Sequence, residues 1–362
     1  MAEITGYKCP CCGSVLKYVP TEDEKLTCQS CSNTFEISLL EELAGFDGKD
    51  NQTFEWGDYK KDYESNQEHL ENIVTYICKS CGAEIEADQT TAATHCPYCD
   101  SEVVIGDRVT GGIKPNGIIP FKFGPDGLLE RVKEFTKGKK LLPKNFFSTY
   151  KISQVQGVYV PFWLFDADMD GKVVLEGTRT RFFSDSKYNY TETSYYLSFN
   201  DGQIGFSKIP VDGSKKMDND LMDSVEPFDF SELKEFDPAY LSGYLADRFD
   251  EDPDVSLPRA SARMIESTVE QFRRSVARQY ATVTLKHHDL HAQNANVKYV
   301  LLPMYLLNLE YDGKKYRFAV NGQTGKMVGE LPICKKKKNL YFWLTTLIVT
   351  AIAALIAFLL LR

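Results

Sequence analysis

Positive charge is what this sequence is short of: 42 Lys and Arg stand against 51 Asp and Glu, a net charge of −9. A surface that takes up nucleic acid must replace phosphate counterions with clustered Lys and Arg. The balance therefore speaks against nucleic acid as a partner, the more so because a block of the basic residues sits in one run, Lys335, Lys336, Lys337 and Lys338. The chain also has no G-x-S-x-G elbow, no glycine-rich phosphate loop and no evident nucleophile–base pair. A non-enzymatic protein is expected, with no small-molecule substrate. Residues 1–20 are polar and carry no apolar core of the kind that targets a chain for export, which predicts that the ten cysteines stay in a reducing, cytosolic interior.

Eight of those cysteines form four C-x-x-C pairs: Cys9/Cys12, Cys28/Cys31, Cys78/Cys81 and Cys96/Cys99. The pairs combine as C-x2-C-x15-C-x2-C and C-x2-C-x14-C-x2-C. A disulfide framework has no reason to repeat that spacing, whereas a thiolate turn that presents two sulfurs to one ion does. Zinc takes four tetrahedral ligands at Zn–S ~2.3 Å, and four thiolates make a closed structural site with no position left for a reactive water. Two zinc ribbons, each with one structural Zn2+, are the expectation. Gly13 and Gly82 follow the second cysteine of two turns, where a tight reversal suits glycine. Cys11 lies inside the first turn and competes for its ligand position, a choice left open; His95, beside Cys96, is a weaker substitute.

Residues 340–361 hold no charge over about 22 positions, enough at ~1.5 Å per residue to cross a hydrocarbon core of ~30 Å. Leu340 and Leu361 mark its ends, Trp343 with Tyr341 and Phe342 forms an aromatic belt, and Lys335–Lys338 flank it. The positive-inside rule then keeps the N-terminal bulk in the cytoplasm and exports only Arg362. A tail-anchored, single-pass cell-membrane protein is predicted, with the lipid bilayer as one partner.

The expected fold class is α+β: two small N-terminal zinc ribbons (1–40 and 73–110), a β-rich domain (111–334) and one C-terminal transmembrane helix within 335–362. Residues 41–72 are acidic, with glycines at Gly45, Gly48 and Gly57, and read as a solvated linker. Helical spacing predicts a short helix over 128–135 and a long one over 259–280, with Pro258 at its start and Met264, Ile265, Val269, Phe272 and Val276 on one stripe. Residues 158–172 (VYVPFWLFDADMDGK) align without gaps with 300–314 (VLLPMYLLNLEYDGK). Each copy reads as a strand with Pro161 or Pro303 at its start or edge, closed by an Asp-Gly hairpin turn at Asp170-Gly171 or Asp312-Gly313. The first copy thus predicts a duplicated strand-hairpin unit. Asp166, Asp168 and Asp170 imitate a calcium loop, but its twelfth position is Gly177 rather than a bidentate Glu. His287, His288 and His291 read as a polar loop.

The four C-x-x-C pairs, the VPFWLF and LPMYLL strands and the C-terminal anchor together resemble the bacterial TFIIB-type zinc-ribbon membrane proteins. The resemblance implies a zinc-ribbon partner of phage-shock-type and SPFH-type membrane-stress proteins. The ribbons are themselves acidic, with three lysines against five acids in the first, and protein docking suits them better than phosphate. The expected function is a membrane-anchored cytoplasmic scaffold that recruits protein partners, themselves membrane-associated. The alternative is a membrane-tethered, nucleic-acid-binding ribbon protein of transcription or replication.

Overall fold

The computed structural model describes residues 7–18, 25–45, 50–54, 73–88, 96–99, 101, 114–144, 146–147, 155 and 157–360. His95, residues 55–72 of the expected linker, Leu361 and Arg362 lie outside the described residues. The chain divides into two compact units. One comprises Met1–Tyr59, Phe165–Ile209 and Leu257–Asn296; the other comprises Lys60–Leu164, Pro210–Ser256 and Val297–Arg362.

In the first unit, β1 (Lys17–Tyr18), β2 (Lys25–Thr27) and β3 (Thr34–Glu36) make a three-stranded antiparallel sheet in that order, followed by α1 (Ile37–Gly45). Leu16, Leu26, Phe35 and Leu40 bury themselves with Cys9 and Cys28 in a small core of their own, against which Leu197 packs. β4 (Asn51–Phe54) pairs in parallel with Asp289–Ala292. The acidic stretch read as a solvated linker is therefore anchored to a sheet at this point.

The unit's other elements are long. β8 (Gly157–Ser184) and β9 (Asn189–Asp212) form a hairpin of 28- and 24-residue arms. A helix, labelled α4 in chain order, spans Pro253–Val276, and β11 spans Thr282–Tyr311. The helix starts six residues before the predicted 259 and ends at Val276. Proline's fixed φ suits an opening turn at Pro253, and the Asp252 carbonyl accepts from Val255 (3.0 Å) and Ser256 (3.4 Å). Pro258 thus lies inside the helix, where its ring removes one helical hydrogen bond and crowds the carbonyl four residues back. Met264, Val269 and Val276 of the predicted stripe are buried, while Ile265 and Phe272 are half-buried. His287, His288 and His291 lie within β11, not in a loop.

In the second unit the sheet runs β13 (Met327–Gly329), β12 (Lys314–Asn321), β11, β8, β10 (Leu245–Asp247), β6 (Glu84–Asp88) and β5 (Ile73–Ile77). β7 (Gly117–Ile118) pairs in parallel with Val300–Leu301. The apolar run of β11 is buried on both faces, as a strand in the middle of a covered sheet must be. Val300, Leu302, Met304 and Leu306 enter one core together with Val158, Val160, Phe162 and Leu164 of β8. Tyr305, Leu307 and Leu309 enter another, closed by Leu128 and Val132 of α2 (Pro125–Thr136). Between β9 and β10 the chain makes α3 (Asn219–Val225), capped by the Asp218 carboxylate. The last element is α5 (Lys335–Leu360).

The duplicated unit is present at its base and altered at its first turn. In both copies the proline lies inside a long strand, and its carbonyl accepts a glycine N–H from the returning arm: Gly213 to Pro161 (2.9 Å) and Gly322 to Pro303 (2.8 Å). The second copy closes at Asp312-Gly313, both with positive φ (54° and 73°), as read from the sequence. The first does not close at Asp170-Gly171. β8 continues through it, and Gly171 (φ 142°) is there because Asp289 of β11 brings its carbonyl oxygen to 2.0 Å from where a Cβ would stand. The glycine serves close approach instead of a turn, and the hairpin closes near Asp185.

Candidate metal centres

Both cysteine clusters are assembled from one repeated turn. The Gly13 N–H donates to the Cys9 carbonyl (2.8 Å) and the Cys9 N–H to the Ser14 carbonyl (2.7 Å). Ser32 and Cys28 repeat the pattern with Cys28 and Asn33 (2.8 Å each), as do Gly82 and Cys78 with Cys78 and Ala83 (2.8 Å each). Gly13, Ser32 and Gly82, each directly after the second cysteine, have φ of 74°, 60° and 75°. The sequence pointed to the two glycines; Ser32 adopts the same left-handed conformation without their freedom.

The turns meet in antiparallel fashion, first cysteine against second. Cys9 and Cys31 sulfurs are 3.5 Å apart, as are those of Cys12 and Cys28. In the other cluster Cys78–Cys99 and Cys81–Cys96 are each 3.6 Å apart. All four sulfurs of each set lie within 4.8 Å of one another. A tetrahedron with Zn–S ~2.3 Å has edges of ~3.8 Å, so each set is compatible with one metal ion held by four sulfurs. All ten cysteines are free of disulfides. Cys11 stays outside its cage, half-buried against the small core beside it, with burial pushing its thiol upward.

Metal ligation requires thiolates, and in each cluster hydrogen bonds hold one thiol below its ordinary value. Ser14 hydrogen-bonds Cys12 through its side chain and backbone and lowers it to about 6. Burial raises Cys99, but Ser101 outweighs it through the same two bonds and brings it to about 6. Burial pushes Cys9 and Cys96 upward. The two serines sit two residues after the second cysteine of their turns, a correspondence visible in the sequence.

The second cluster is built into the core of its unit. Cys78, Ala83, Ile85, Cys96 and Tyr98 share a core with β8 and β11, and β6 pairs with β10 through Ile85–Asp247 and Glu86–Ala246. Tyr98, between two of the cysteines, donates its hydroxyl to the fully buried Asp247 carboxylate. Ser214 donates to the same oxygen (3.0 Å) and the Lys216 ammonium to the other (2.7 Å). Burial pushes the Asp247 carboxyl up, against the opposing pull of Lys216. On another side Asn308 donates to the Pro97 carbonyl (3.0 Å). No motif announced this network, because its members come from four separate stretches of chain.

Other candidates disperse. Asp166 accepts from the Lys208 N–H (2.6 Å) and Asp168 from Asn294 (3.0 Å), so these carboxylates hold backbone and side chain in place. The backbone N–H of the buried His288 donates to the Asp50 carboxylate (3.2 Å), and the His291 ring faces Asp289 at 3.4 Å. Among the described residues, the metal-compatible groups are the two tetracysteine sets. In α5, Leu340 and Trp343 are 58% and 66% exposed, and the helix is long and apolar enough to cross a membrane, with none of it buried. Its first turn is tied down: Lys335 pairs with Asp312 (3.0 Å) and Lys337 donates to the Leu142 carbonyl (2.6 Å).

Fold and site together define a mixed α+β protein with two tetracysteine clusters near its N-terminus and a terminal apolar helix. Over 339 residues the chain is 33% identical to the uncharacterized protein YdjG of Bacillus subtilis (strain 168), across 94% of this chain and 93% of that one. The chain belongs to the YdjG family. No family model and no solved structure matches it.

Proposed function

We propose that the protein is a non-enzymatic scaffold of the double zinc-ribbon membrane type, anchored in the cell membrane by α5 with its bulk in the cytoplasm. Each cluster holds one Zn2+: Cys9, Cys12, Cys28 and Cys31 at the first, Cys78, Cys81, Cys96 and Cys99 at the second. The reading is carried by both cages closing on four sulfurs, which suits structural zinc rather than a metal with an open position for chemistry. It is supported by an apolar helix that buries nothing within the protein. The second cluster, packed into a core, serves as a staple. The first, with a core of its own, is the element that docks membrane-associated protein partners, in keeping with the envelope-stress setting that the resemblance suggests.

Metal analysis of the purified full chain should return two zinc ions, and one when the first cluster's four cysteines are replaced by serine. Cross-linking mass spectrometry in native membranes then compares these two proteins. Neighbours lost from the serine variant support docking by the first ribbon. An unchanged set of neighbours overturns it.

A further inference from the structure

Among the described residues outside α5, the exposed large aromatics are Phe182, Phe183, Tyr188, Tyr190, Tyr195 and Tyr196. All six lie on the outer part of the β8–β9 hairpin, the part by which the first copy of the duplicated unit outgrows the second. Phe182 is 76% exposed and Tyr188 64%. Ordinary folding hides such rings, and a contiguous exposed group marks an interaction surface.

The tip is preformed. The Asp185 carboxylate accepts from the Lys187 and Tyr188 N–H groups (2.7 Å each) and from the Tyr190 hydroxyl (2.9 Å). Phe183 stacks on Tyr190 across the strands, centroids 5.1 Å apart at 14°. Arg181 lies over Phe183 at 5.6 Å, and Arg179 lies 4.9 Å from the Tyr196 ring and 5.3 Å from that of Tyr280. With Lys187 these exposed cations outnumber Asp185, which is committed to the turn, and Glu192. Residues 179–196 thus hold three cations against two acids on a chain of net charge −9.

We propose that this hairpin tip is a second membrane contact: its rings lie at the headgroup level of a bilayer, and Arg181 and Lys187 meet the phosphates of anionic lipids. The proposal rests on the reading of α5 as a membrane anchor, which brings the chain to a bilayer. Amphipathic tyrosines beside bare phenylalanines are the composition of an interfacial belt, and basic residues near an anionic leaflet add attraction. A single-stranded nucleic acid would need free ring faces on which to stack bases. Here Phe183 and Tyr190 already face each other, and arginines cover Phe183 and Tyr196.

The test places a reporter at the tip of the full-length protein. Phe182→Trp and the parent are reconstituted into phosphatidylglycerol-containing vesicles with brominated acyl chains, and the difference in tryptophan emission is read. Emission from position 182 should shift to the blue, be quenched by the bromines, and lose both effects in an Arg181→Glu/Lys187→Glu background with unchanged circular dichroism. Water-like, unquenched emission from position 182 overturns the proposal, as does a signal that responds to an added oligonucleotide and not to lipid. Trp343, compared between the parent and a Trp343→Phe variant, separates the two readings. Quenching at 343 without quenching at 182 sinks the tip contact and leaves the anchor; no quenching at either position sinks both.

Discussion

Three of the cysteine turns pass through a left-handed residue, and only two of those residues are glycine. An L-residue held there forfeits about 1–2 kcal/mol. Gly82 has nothing within 4 Å of where a Cβ would stand, so Gly82→Ala should cost about that amount through conformation alone. Ser32→Gly should return up to ~1 kcal/mol, glycine's greater freedom in the unfolded chain offsetting part of the gain. Urea unfolding of the metal-loaded proteins measures both. Glu86 is a second residue with a readable consequence. Burial raises its carboxyl from 4.5 to about 7, with Arg248 pulling the other way, and its Oε1 has no hydrogen-bond partner. The folded protein keeps the proton where the unfolded chain has released it, so the unfolded state binds fewer protons across that interval. Stability present below about pH 4.5 is therefore lost as pH rises through about 7. Glu86→Gln should flatten that slope and leave the variant the more stable protein above neutrality, as unfolding free energies measured across this pH range will show.

At the scale of elements, the first hairpin depends on one crowded crossing. A methyl at Gly171 would meet the Asp289 carbonyl at 2.0 Å, and its backbone lies where side chains are strained. Gly171→Ala should lower the melting temperature by more than Gly82→Ala does, and hydrogen exchange should locate the loss in β8 and in β11 around Asp289. This crossing is also where sequence reasoning went astray. Asp-Gly after an apolar strand has the chemistry of a hairpin turn, and at Asp312-Gly313 it makes one. At Asp170-Gly171 the neighbour that requires glycine is 118 positions further along the chain (Asp289), beyond the reach of local pattern. The same limit explains β4, a strand within an acidic stretch whose pairing partner lies in β11. What was legible was short-range: the four C-x-x-C pairs, the helix over Leu128 and Val132, and the apolar terminal run. The Tyr98–Asp247–Lys216 network and the aromatic hairpin tip were not inferred, although the six aromatics within residues 182–196 were there to be seen.

For the molecule as a whole, the two clusters should differ in what their loss does. Cys78 and Cys96 belong to a core that also contains Val158, Val160, Val300 and Leu302, whereas Cys9 and Cys28 belong to a small separate one. Cys78→Ser/Cys96→Ser should expose the strands around residues 158–164 and 300–306 to rapid hydrogen exchange. Cys9→Ser/Cys28→Ser should leave those strands protected. Equal protection in the two variants would contradict the staple role. The doubly buried run of β11 has a further consequence. In a strand with one wet face, a slip of one residue is punished at once, because it turns apolar side chains toward water. Here both faces are apolar, and a slip would only exchange Met304 and Leu306 with Tyr305 and Leu307. Hydrophobicity alone does not index the strand. Among the marks that do are side-chain hydrogen bonds: the Tyr305 hydroxyl on the Phe123 carbonyl and the Asn308 amide on the Pro97 carbonyl. Hydrogen bonds such as these tell an apolar strand which residue belongs where, and one of them ends between the cysteines of the second cluster.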